Sequence, residues 1–228
     1  MLQIQTVPPN LLLAARRIFS RSWSENFLLV GGTNVALRLG HRVSVDIDLF
    51  TNKEFDVRAM LGHFSKEFTL TAESIREREN GFRADWEDGN VIVDMYHSDM
   101  PMNREPLYEQ GLRLANLVDV AAMKIEAMVQ RRVKKDYIDL YFIFEELDPQ
   151  KCLEHFHQLD KYCSPKSVTF ALDEVNTAAN NKSEMPTMLK PVNWAKINAV
   201  FKQVNREYTK SKVFEQTQPP RDKEQGAS

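Results

Sequence analysis

The chain has 228 residues, of which 43% are hydrophobic and 27% are charged, an ordinary composition for a globular protein. Thirty lysine and arginine residues against 32 acidic residues give a formal charge of −2, which excludes a uniformly basic nucleic-acid coat protein. Cys152 and Cys163 are too few for a disulfide framework and lack metal-ligand spacing. The sequence shows no signal-peptide pattern and no apolar run of about 20 residues, so we expect a cytoplasmic protein with no membrane span.

The chain divides at a polar stretch with two prolines over residues 98–111. Helix-like and strand-like segments alternate before it, whereas nearly every apolar stretch after it has helical spacing. We therefore expect one α+β domain over residues 1–110 and a mainly helical domain over 111–214. A disordered polar tail is predicted over 215–228.

The first elements lead to the most informative part of the chain. The spacing predicts an opening helix capped by Asn10, a buried strand over 27–30, and a short helix over 33–39. Residues 44–50 then alternate between apolar and polar types, which predicts a strand with one core face. The predicted core side chains are Val45, Ile47 and Leu49, and those on the opposite face are Ser44, Asp46 and Asp48.

The remaining elements change in type along the chain. A helix is predicted over 55–64, followed by strands over 68–75, 82–86 and 91–96. Asp88-Gly89 is a turn signal that would join the last two strands as a hairpin. Later helices are predicted over 117–132, 137–147, 151–159 and 194–208.

The segment from Gly31 to Asp48 combines two patterns that suit phosphate chemistry. The pair Gly31-Gly32 after a strand lets the backbone approach a ligand, and amides at a helix start can receive a phosphate. Asp46 and Asp48 are two residues apart on one strand, so both carboxylates can reach shared hard cations. Each pattern alone is more often a plain turn or a solvated acidic pair. Together they favour a site for a nucleoside triphosphate and divalent metal.

Two single residues also stand out from apolar surroundings. Asp94 interrupts an apolar strand, where a buried acid needs a partner; an exposed edge strand is the alternative. Lys124 projects from the apolar stripe of the helix over 117–132. Its ammonium either reaches solvent or faces an anion such as a nucleotide phosphate.

Asp136 and Asp139 fall at the start of the next predicted helix. Asp136 fits the N-cap, and Asp139 fits a first-turn acid that the helix dipole favours. A role in a functional site is the alternative for both residues.

Residues 31–50, which read GGTNVALRLGHRVSVDIDLF, resemble the signature of the AbiEii/AbiGii-type nucleotidyltransferases of the DNA polymerase β-like superfamily. The similarity continues through Asp94, through AAMK at 121–124 and through KDYIDL at 135–140. It therefore covers most of residues 26–144.

This resemblance implies a polymerase β-like nucleotidyltransferase domain with a mixed sheet, followed by a helical domain that closes a nucleotide cleft. It implies transfer of a nucleoside monophosphate from a triphosphate to a hydroxyl, with pyrophosphate leaving and two Mg²⁺ ions assisting. By correspondence, the phosphate-binding residues would be Gly31, Gly32 and Thr33, and the metal ligands and catalytic acids would be Asp46, Asp48 and Asp94. Lys124 would bind the triphosphate, and the later acidic motif would be a catalytic Asp136 or a nucleotide-binding Asp139.

The resemblance also suggests partners, since relatives include toxins paired with an antitoxin and some modify the 3′ end of tRNA. We expect a tRNA 3′ end as acceptor and a cognate antitoxin as partner. A protein or small-molecule hydroxyl, or a catalytically silent nucleotide-binding module, is the alternative. Residues 1–45 hold five arginines against one acid, and residues 182–213 hold seven basic residues against two acids. Such stretches either guide a nucleic-acid backbone or are ordinary solvated helix faces.

Overall fold

The structure is a computed structural model that describes residues 1–86, 91–102 and 104–217, with nine α-helices and seven strands in those ranges. The helices are α1 (Pro9–Phe19), α2 (Gly31–Leu39), α3 (Val57–Glu67), α4 (Leu117–Arg131), α5 (Lys134–Glu146), α6 (Pro149–Leu159), α7 (Pro165–Asp173), α8 (Val175–Asn180) and α9 (Trp194–Thr217). The strands are β1 (Leu28–Leu29), β2 (Asp46–Thr51), β3 (Ile75–Arg78), β4 (Gly81–Trp86), β5 (Val91–His97), β6 (Leu107–Glu109) and β7 (Leu112–Leu114).

All seven strands belong to one mixed sheet in the order β3-β4-β5-β2-β1-β7-β6. The pairs β2·β5 and β1·β7 are parallel, and the other neighbours are antiparallel. The alternation of β2 sends Ile47 and Leu49 into a core shared with α1 and α3. The opposite face of β2 looks towards α4, and this is the face on which Asp46 and Asp48 stand.

A second core joins the helices of the C-terminal half to the sheet. Its buried members include Val35 of α2 and Phe50 of β2 together with apolar side chains of α4, α5, α6, α7 and α9. Leu37 of α2 packs in the other core, so α2 lies between the two. None of the helices in the described ranges is both long and apolar enough to cross a membrane.

The sequence predicted most helices well but misplaced several boundaries. Helix α4 begins at the predicted Leu117, with the Asn116 side chain accepting a hydrogen bond from the amide of Val118. The prediction of Asn10 as a helix cap was wrong, because α1 begins at Pro9, whose fixed φ suits a first helical position. The predicted tail over 215–228 falls outside the described residues except for 215–217, which end α9.

The predicted strand over 44–50 begins two residues too early. Residues before Asp46 do not pair with the sheet, because the amide of Ser44 bonds to the carbonyl of Thr6 and that of Val43 to the carbonyl of Thr187. The alternation therefore fails at its start: Val45 is 54% exposed and Ser44 is buried. The placement of Val45 in the core was wrong.

Two other strand predictions need correction. The predicted strand over 68–75 is wrong except at Ile75, since Ser74 and Thr71 bond to each other and form a local turn. The hairpin of β4 and β5 is confirmed by its antiparallel register, although its predicted turn at Asp88-Gly89 lies outside the described residues. A hairpin of β6 and β7, which was not predicted, turns at Gln110 and Gly111, both with positive φ. The sheet thus extends past residue 110, where the domain division was predicted.

Candidate active site

The parallel pairing of β2 with β5 brings the predicted acids together. Asp48 stands directly opposite Asp94 in the register, and Asp46 lies two residues earlier on β2. All three line a cavity of about 950 Å³ between the sheet and the C-terminal helices. Lys124 of α4 lines the same cavity from the helical side. The fold therefore gathers acids on one wall and a buried cation on the other.

Gly31 and Gly32 bring the start of α2 against this cavity. Gly31 has a φ of +64°, a conformation that favours glycine, and a side chain there would collide with the carboxylate of Asp48. A side chain at Gly32 would collide with the guanidinium of Arg42. The backbone therefore approaches the charged groups of the cavity as closely as it does because both residues are glycine.

Thr33 lies beneath the cavity rather than in it. Its side chain is fully buried, and its hydroxyl lies 2.9 Å from Ser44 Oγ and also bonds to the backbone carbonyl of Asp46. A hydroxyl in these contacts is committed to the protein, so Thr33 supports Asp46. The resemblance implied that Thr33 holds a phosphate, and its side chain is not placed to do so.

Asp46 and Asp48 line the cavity without a directly bonded cation among the described residues. Among the described residues neither carboxylate forms an ion pair within 4 Å, although Lys124 and Lys135 act on Asp48 over a longer range. Burial raises the pKa of Asp48 from 3.8 to about 6, and the nearby charges of Asp46 and Asp94 add to the shift while Lys124 opposes it. A group in this setting is stabilised by an added cation.

Asp94 is different, because it already has a cationic partner. The guanidinium of Arg78 donates from Nη1 to Oδ1 and from Nη2 to Oδ2 of Asp94, each at 3.1 Å. Arg83 is more loosely placed, with Nη1 at 4.0 Å from Oδ2 of Asp94. The carboxylate predicted as the third metal ligand is thus held by the protein itself.

Lys124 lies buried between two carboxylates of α5. Its Nζ is 3.2 Å from Oδ1 of Asp136 and 2.7 Å from Oδ2 of Asp139. Burial opposes its charge, but Asp139 and Asp136 outweigh that effect and raise the pKa of Lys124. The inward direction of this lysine, predicted from the apolar stripe, is confirmed, and its direct partners are carboxylates.

Asp136 and Asp139 are fully buried, and each joins more than one cation. Arg42 donates to Asp139 from Nε at 2.7 Å and from Nη2 at 2.9 Å, and Arg131 makes the same two-bond contact with Asp136 at 2.7 and 2.9 Å. Burial works against the charge of Asp139, yet Lys124 and Arg42 hold its pKa well below the usual range. Val133 is the N-cap of α5, so Asp136 is not the cap.

His41 completes this cluster at its inner end. Its Nε2 lies 2.8 Å from Oδ1 of Asp139, and burial lowers the pKa of the ring. A neutral ring in that contact donates its Nε2 proton to the carboxylate. We call the set His41, Arg42, Lys124, Arg131, Asp136 and Asp139 the helical charge cluster. Its acids do not line the cavity, whereas Arg42, Lys124 and Arg131 do.

Sequence reasoning missed several cations of the cavity. Arg42, Arg83, Arg131 and Lys135 all line it. Arg131 follows Lys124 by two helical turns on α4, so the shared helix face was a signal that could have found it. Arg42 and Arg83 offered no such signal, because only the packing of α5 and the register of β4 bring them to the site.

The acids of β2 fit a divalent cation, and the role of Asp94 as a third ligand stays a prediction. Asp46 and Asp48 supply oxygen ligands on one face, the kind that Mg²⁺ prefers, and within the described part of the chain no cation is bonded to either. Within the part of the chain that the structure describes, no three His, Cys, Asp or Glu side chains are grouped closely enough to hold a metal ion. Asp94, the predicted third acid, is paired with Arg78.

The comparison with protein families decides the identity of the chain. The family described as nucleotidyl transferase AbiEii toxin, type IV toxin–antitoxin system, matches residues 12–216. The chain belongs to the AbiEii nucleotidyltransferase toxin family. An AbiEii chain with this cavity is a nucleotidyltransferase, as the resemblance implied.

This AbiEii chain is also similar to a protein of known sequence and to solved structures. An uncharacterized protein of Aquifex aeolicus, aq_aa25, is 25% identical over 216 residues, covering 86% of this chain and 94% of that protein. The crystal structure of JHP933 from Helicobacter pylori matches with a TM-score of 0.54 at 15% identity, over 90% of this chain and 94% of that one. The antibiotic-resistance factor ANT(2'')-Ia matches with a TM-score of 0.51 at 15% identity, over 66% of this chain and 91% of that one.

At these identities the structural matches show the fold alone. They confirm the predicted architecture, a polymerase β-like nucleotidyltransferase unit with a mixed sheet and a helical C-terminal part. The predicted roles of single residues in this AbiEii chain stay predictions.

Proposed function

We propose that this protein transfers a nucleoside monophosphate from a triphosphate to the 3′-terminal hydroxyl of tRNA, with pyrophosphate as the other product, as the toxin of a toxin–antitoxin pair. The observation that carries the transferase step is the opposition, across one cavity, of the acids Asp46 and Asp48 to the cations Lys124, Arg42 and Arg131. A triphosphate needs both groups. The cations bind its phosphate oxygens directly, and the acids would hold the divalent metal that neutralises charge around the reacting phosphorus.

The cationic wall is suited to the triphosphate tail. Arg42, Lys124 and Arg131 keep their positions because Asp136 and Asp139 hold each of them from the side away from the cavity. Cations fixed in advance lose little free energy in reorganisation when an anion arrives. The open backbone at Gly31 and Gly32 gives the phosphates room beside these cations.

The acidic wall is suited to Mg²⁺, which Asp46 and Asp48 would hold. Bound magnesium supplies charge neutralisation at the phosphates and lowers the pKa of the attacking hydroxyl. The chain's own part is to keep two carboxylates side by side in spite of their repulsion, which it does by pairing β2 with β5 and by bonding the carbonyl of Asp46 to the Thr33 hydroxyl. Asp94 stays the predicted third acid.

The proposed tRNA acceptor draws support from α9 more than from the N-terminal stretch. Lys202, Arg206 and Lys210 are exposed on α9 at intervals of four residues, so they share one face. The N-terminal arginines are mostly engaged within the protein; for example, Arg17 and Arg21 both contact Glu67. The α9 face is the better candidate for contact with a nucleic-acid backbone.

A labelling experiment tests both the reaction and the acceptor. The purified protein is incubated with Mg²⁺, with each α-labelled triphosphate in turn, and with total RNA or a protein lysate treated with ribonuclease. We expect label in the tRNA fraction, and Asp46→Asn should reduce it by roughly 100-fold or more, because one of two metal carboxylates is lost.

The matched control is Asp173→Asn, which makes the same change at an exposed residue that ends α7. It should label as the parent chain does. Undiminished labelling by Asp46→Asn would refute the metal-site assignment. Label in lysate protein or in a small molecule, with none in RNA, would refute tRNA as acceptor but leave nucleotidyl transfer standing. Growth arrest on expression, relieved by a co-expressed neighbouring gene product, tests the toxin–antitoxin pairing.

A further inference from the structure

A two-bond ion pair closes off Asp94 on the acidic wall of the cavity. Both oxygens of its carboxylate accept hydrogen bonds from Arg78, at 3.1 Å each. The side chain of Asp94 is 14% exposed and that of Arg78 is 48% exposed. Charge-assisted pairs with two parallel bonds are the stronger kind, so a metal ion that takes both oxygens of Asp94 has to displace Arg78.

The sheet register shows that Arg78 reaches this position across a whole strand. Arg78 is opposite Gly81 of β4, and Gly81 is opposite Tyr96 of β5, two residues beyond Asp94. The guanidinium of Arg78 therefore reaches diagonally across β4 to bond Asp94. Asp94 in turn stands beside Asp48 in the parallel register. Arg78 thus ends next to the carboxylates that the proposed function assigns to metal.

Arg78 is also placed so that it can leave. It lies on β3, which is at one edge of the sheet, and half of its side chain is exposed. Asp94, by contrast, lies on β5 between β4 and β2 and is fixed by pairing on both sides. The arginine is therefore the movable partner of this pair.

We propose that Arg78 competes with divalent metal for Asp94. Asp46 and Asp48 take the first cation, and Asp94 joins the metal site only when the guanidinium of Arg78 has left it. This inference rests on the proposed function, because it assumes that Asp46 and Asp48 hold metal. It makes Arg78 a positioning residue that limits how far the metal site fills before substrate arrives.

Metal binding without nucleotide tests this competition directly, with no turnover required. Free Mn²⁺ is titrated against the protein and followed by electron paramagnetic resonance. We expect Arg78→Met to bind Mn²⁺ about three- to tenfold more tightly than the parent chain, since a competing cation is removed. Arg76→Met is the matched control, because Arg76 lies on the same strand and is exposed, yet makes no ion pair within the described residues. It should change the affinity less than about twofold.

A double variant separates release of Asp94 from a general change in charge. Arg78→Met/Asp94→Asn should lose the gain, whereas Asp94→Asn alone should cost little, since Arg78 already occupies that carboxylate. Equal affinity in Arg78→Met and the parent chain would overturn the proposal, and so would a gain that persists in the double variant. If the parent chain binds Mn²⁺ no better than Asp46→Asn does, the metal part of the proposed function fails instead.

Discussion

The sheet wall of the cavity, which carries Asp46 and Asp48, and the helical charge cluster on the other side use aspartates in opposite ways. On the sheet, Asp46 and Asp48 face the cavity without an ion pair among the described residues, and burial raises the pKa of Asp48 to about 6. On the helices, Asp139 is more deeply buried, yet Lys124 and Arg42 keep its pKa well below the usual range. Burial penalises both groups, so the difference comes from the partners that the fold supplies.

This contrast separates carboxylates whose charge stabilises the folded protein from carboxylates whose charge destabilises it. Asp139 is bonded to three side chains, and removing its charge would take from Arg42 the carboxylate that it bonds and leave Lys124 with Asp136 alone. Asp48 has no comparable ion pair among the described residues. Its negative charge would be stabilised by a cation that binds from solution. Proteins accept such costs at functional sites. The same substitution, aspartate to asparagine, should therefore lower the free energy of unfolding at Asp139 and raise it at Asp48.

The largest expected effect concerns Asp139 in the helical charge cluster. Asp139→Asn keeps the size of the side chain but removes the charge that Lys124 and Arg42 share. We expect the free energy of unfolding to fall by about 3–5 kcal/mol, because breaking a buried pair leaves an uncompensated charge. Urea unfolding at neutral pH, followed by circular dichroism, measures the change.

Asp173→Asn again serves as the control and should stay within about 0.5 kcal/mol of the parent chain. A loss for Asp139→Asn no larger than that of the control would contradict the contrast. It would mean that Asp136 alone can compensate Lys124 and Arg42.

The second prediction is a gain in stability for a substitution on the sheet wall. In protein kept free of metal by a chelator, Asp48→Asn should raise the free energy of unfolding at pH 8 by up to about 3 kcal/mol, as the elevated pKa implies. The reason is that the folded chain pays for a buried charge that asparagine does not carry.

The pH dependence gives this prediction its sharper form. Between about pH 4 and pH 6 the folded chain keeps a proton on Asp48 that the unfolded chain has released, so stability falls as pH rises through that window. The advantage of Asp48→Asn should therefore be small at pH 4 and complete above pH 7. An advantage of equal size at both ends would show that burial of the charge is not its cause.

The sequence could predict those parts of the site that depend on local pattern. The alternation of β2 placed Asp46 and Asp48 on one face, and the helical spacing of α4 placed Lys124 inward. Both predictions need only the period of one element. The beginning of β2 could not be predicted this way, because the backbone bond from Ser44 to Thr6 interrupts the pattern.

Partners distant along the chain were beyond such reasoning. Asp94 was expected to meet metal, and the structure pairs it with Arg78, which depends on the register of three strands. Asp139 was expected beside a nucleotide, and it lies behind the cavity with Arg42, nearly a hundred positions earlier in the sequence. A carboxylate in a sequence shows a charge to be compensated, and the fold decides which cation compensates it.

The smallest expected effect concerns the support beneath the acidic wall. Thr33→Val keeps the shape of the side chain but removes the hydroxyl that bonds to Ser44 and to the carbonyl of Asp46. We expect a loss of about 1–2 kcal/mol in the free energy of unfolding, since two buried polar groups lose a partner. Thr33→Ser should restore most of it, and Thr177→Val, at an exposed position of α8, should change little.

The readout that connects this support to the acids is metal binding. If Thr33 fixes Asp46 in place, Thr33→Val should weaken Mn²⁺ binding by a few fold, whereas Thr33→Ser should not, because a hydroxyl at this position keeps the strand start aligned. A loss of stability with unchanged Mn²⁺ affinity would mean that Thr33 only packs the core under β2. Strand pairing alone would then position the two carboxylates of the sheet wall. In the helical charge cluster, by contrast, each acid is fixed by the cations bonded to it.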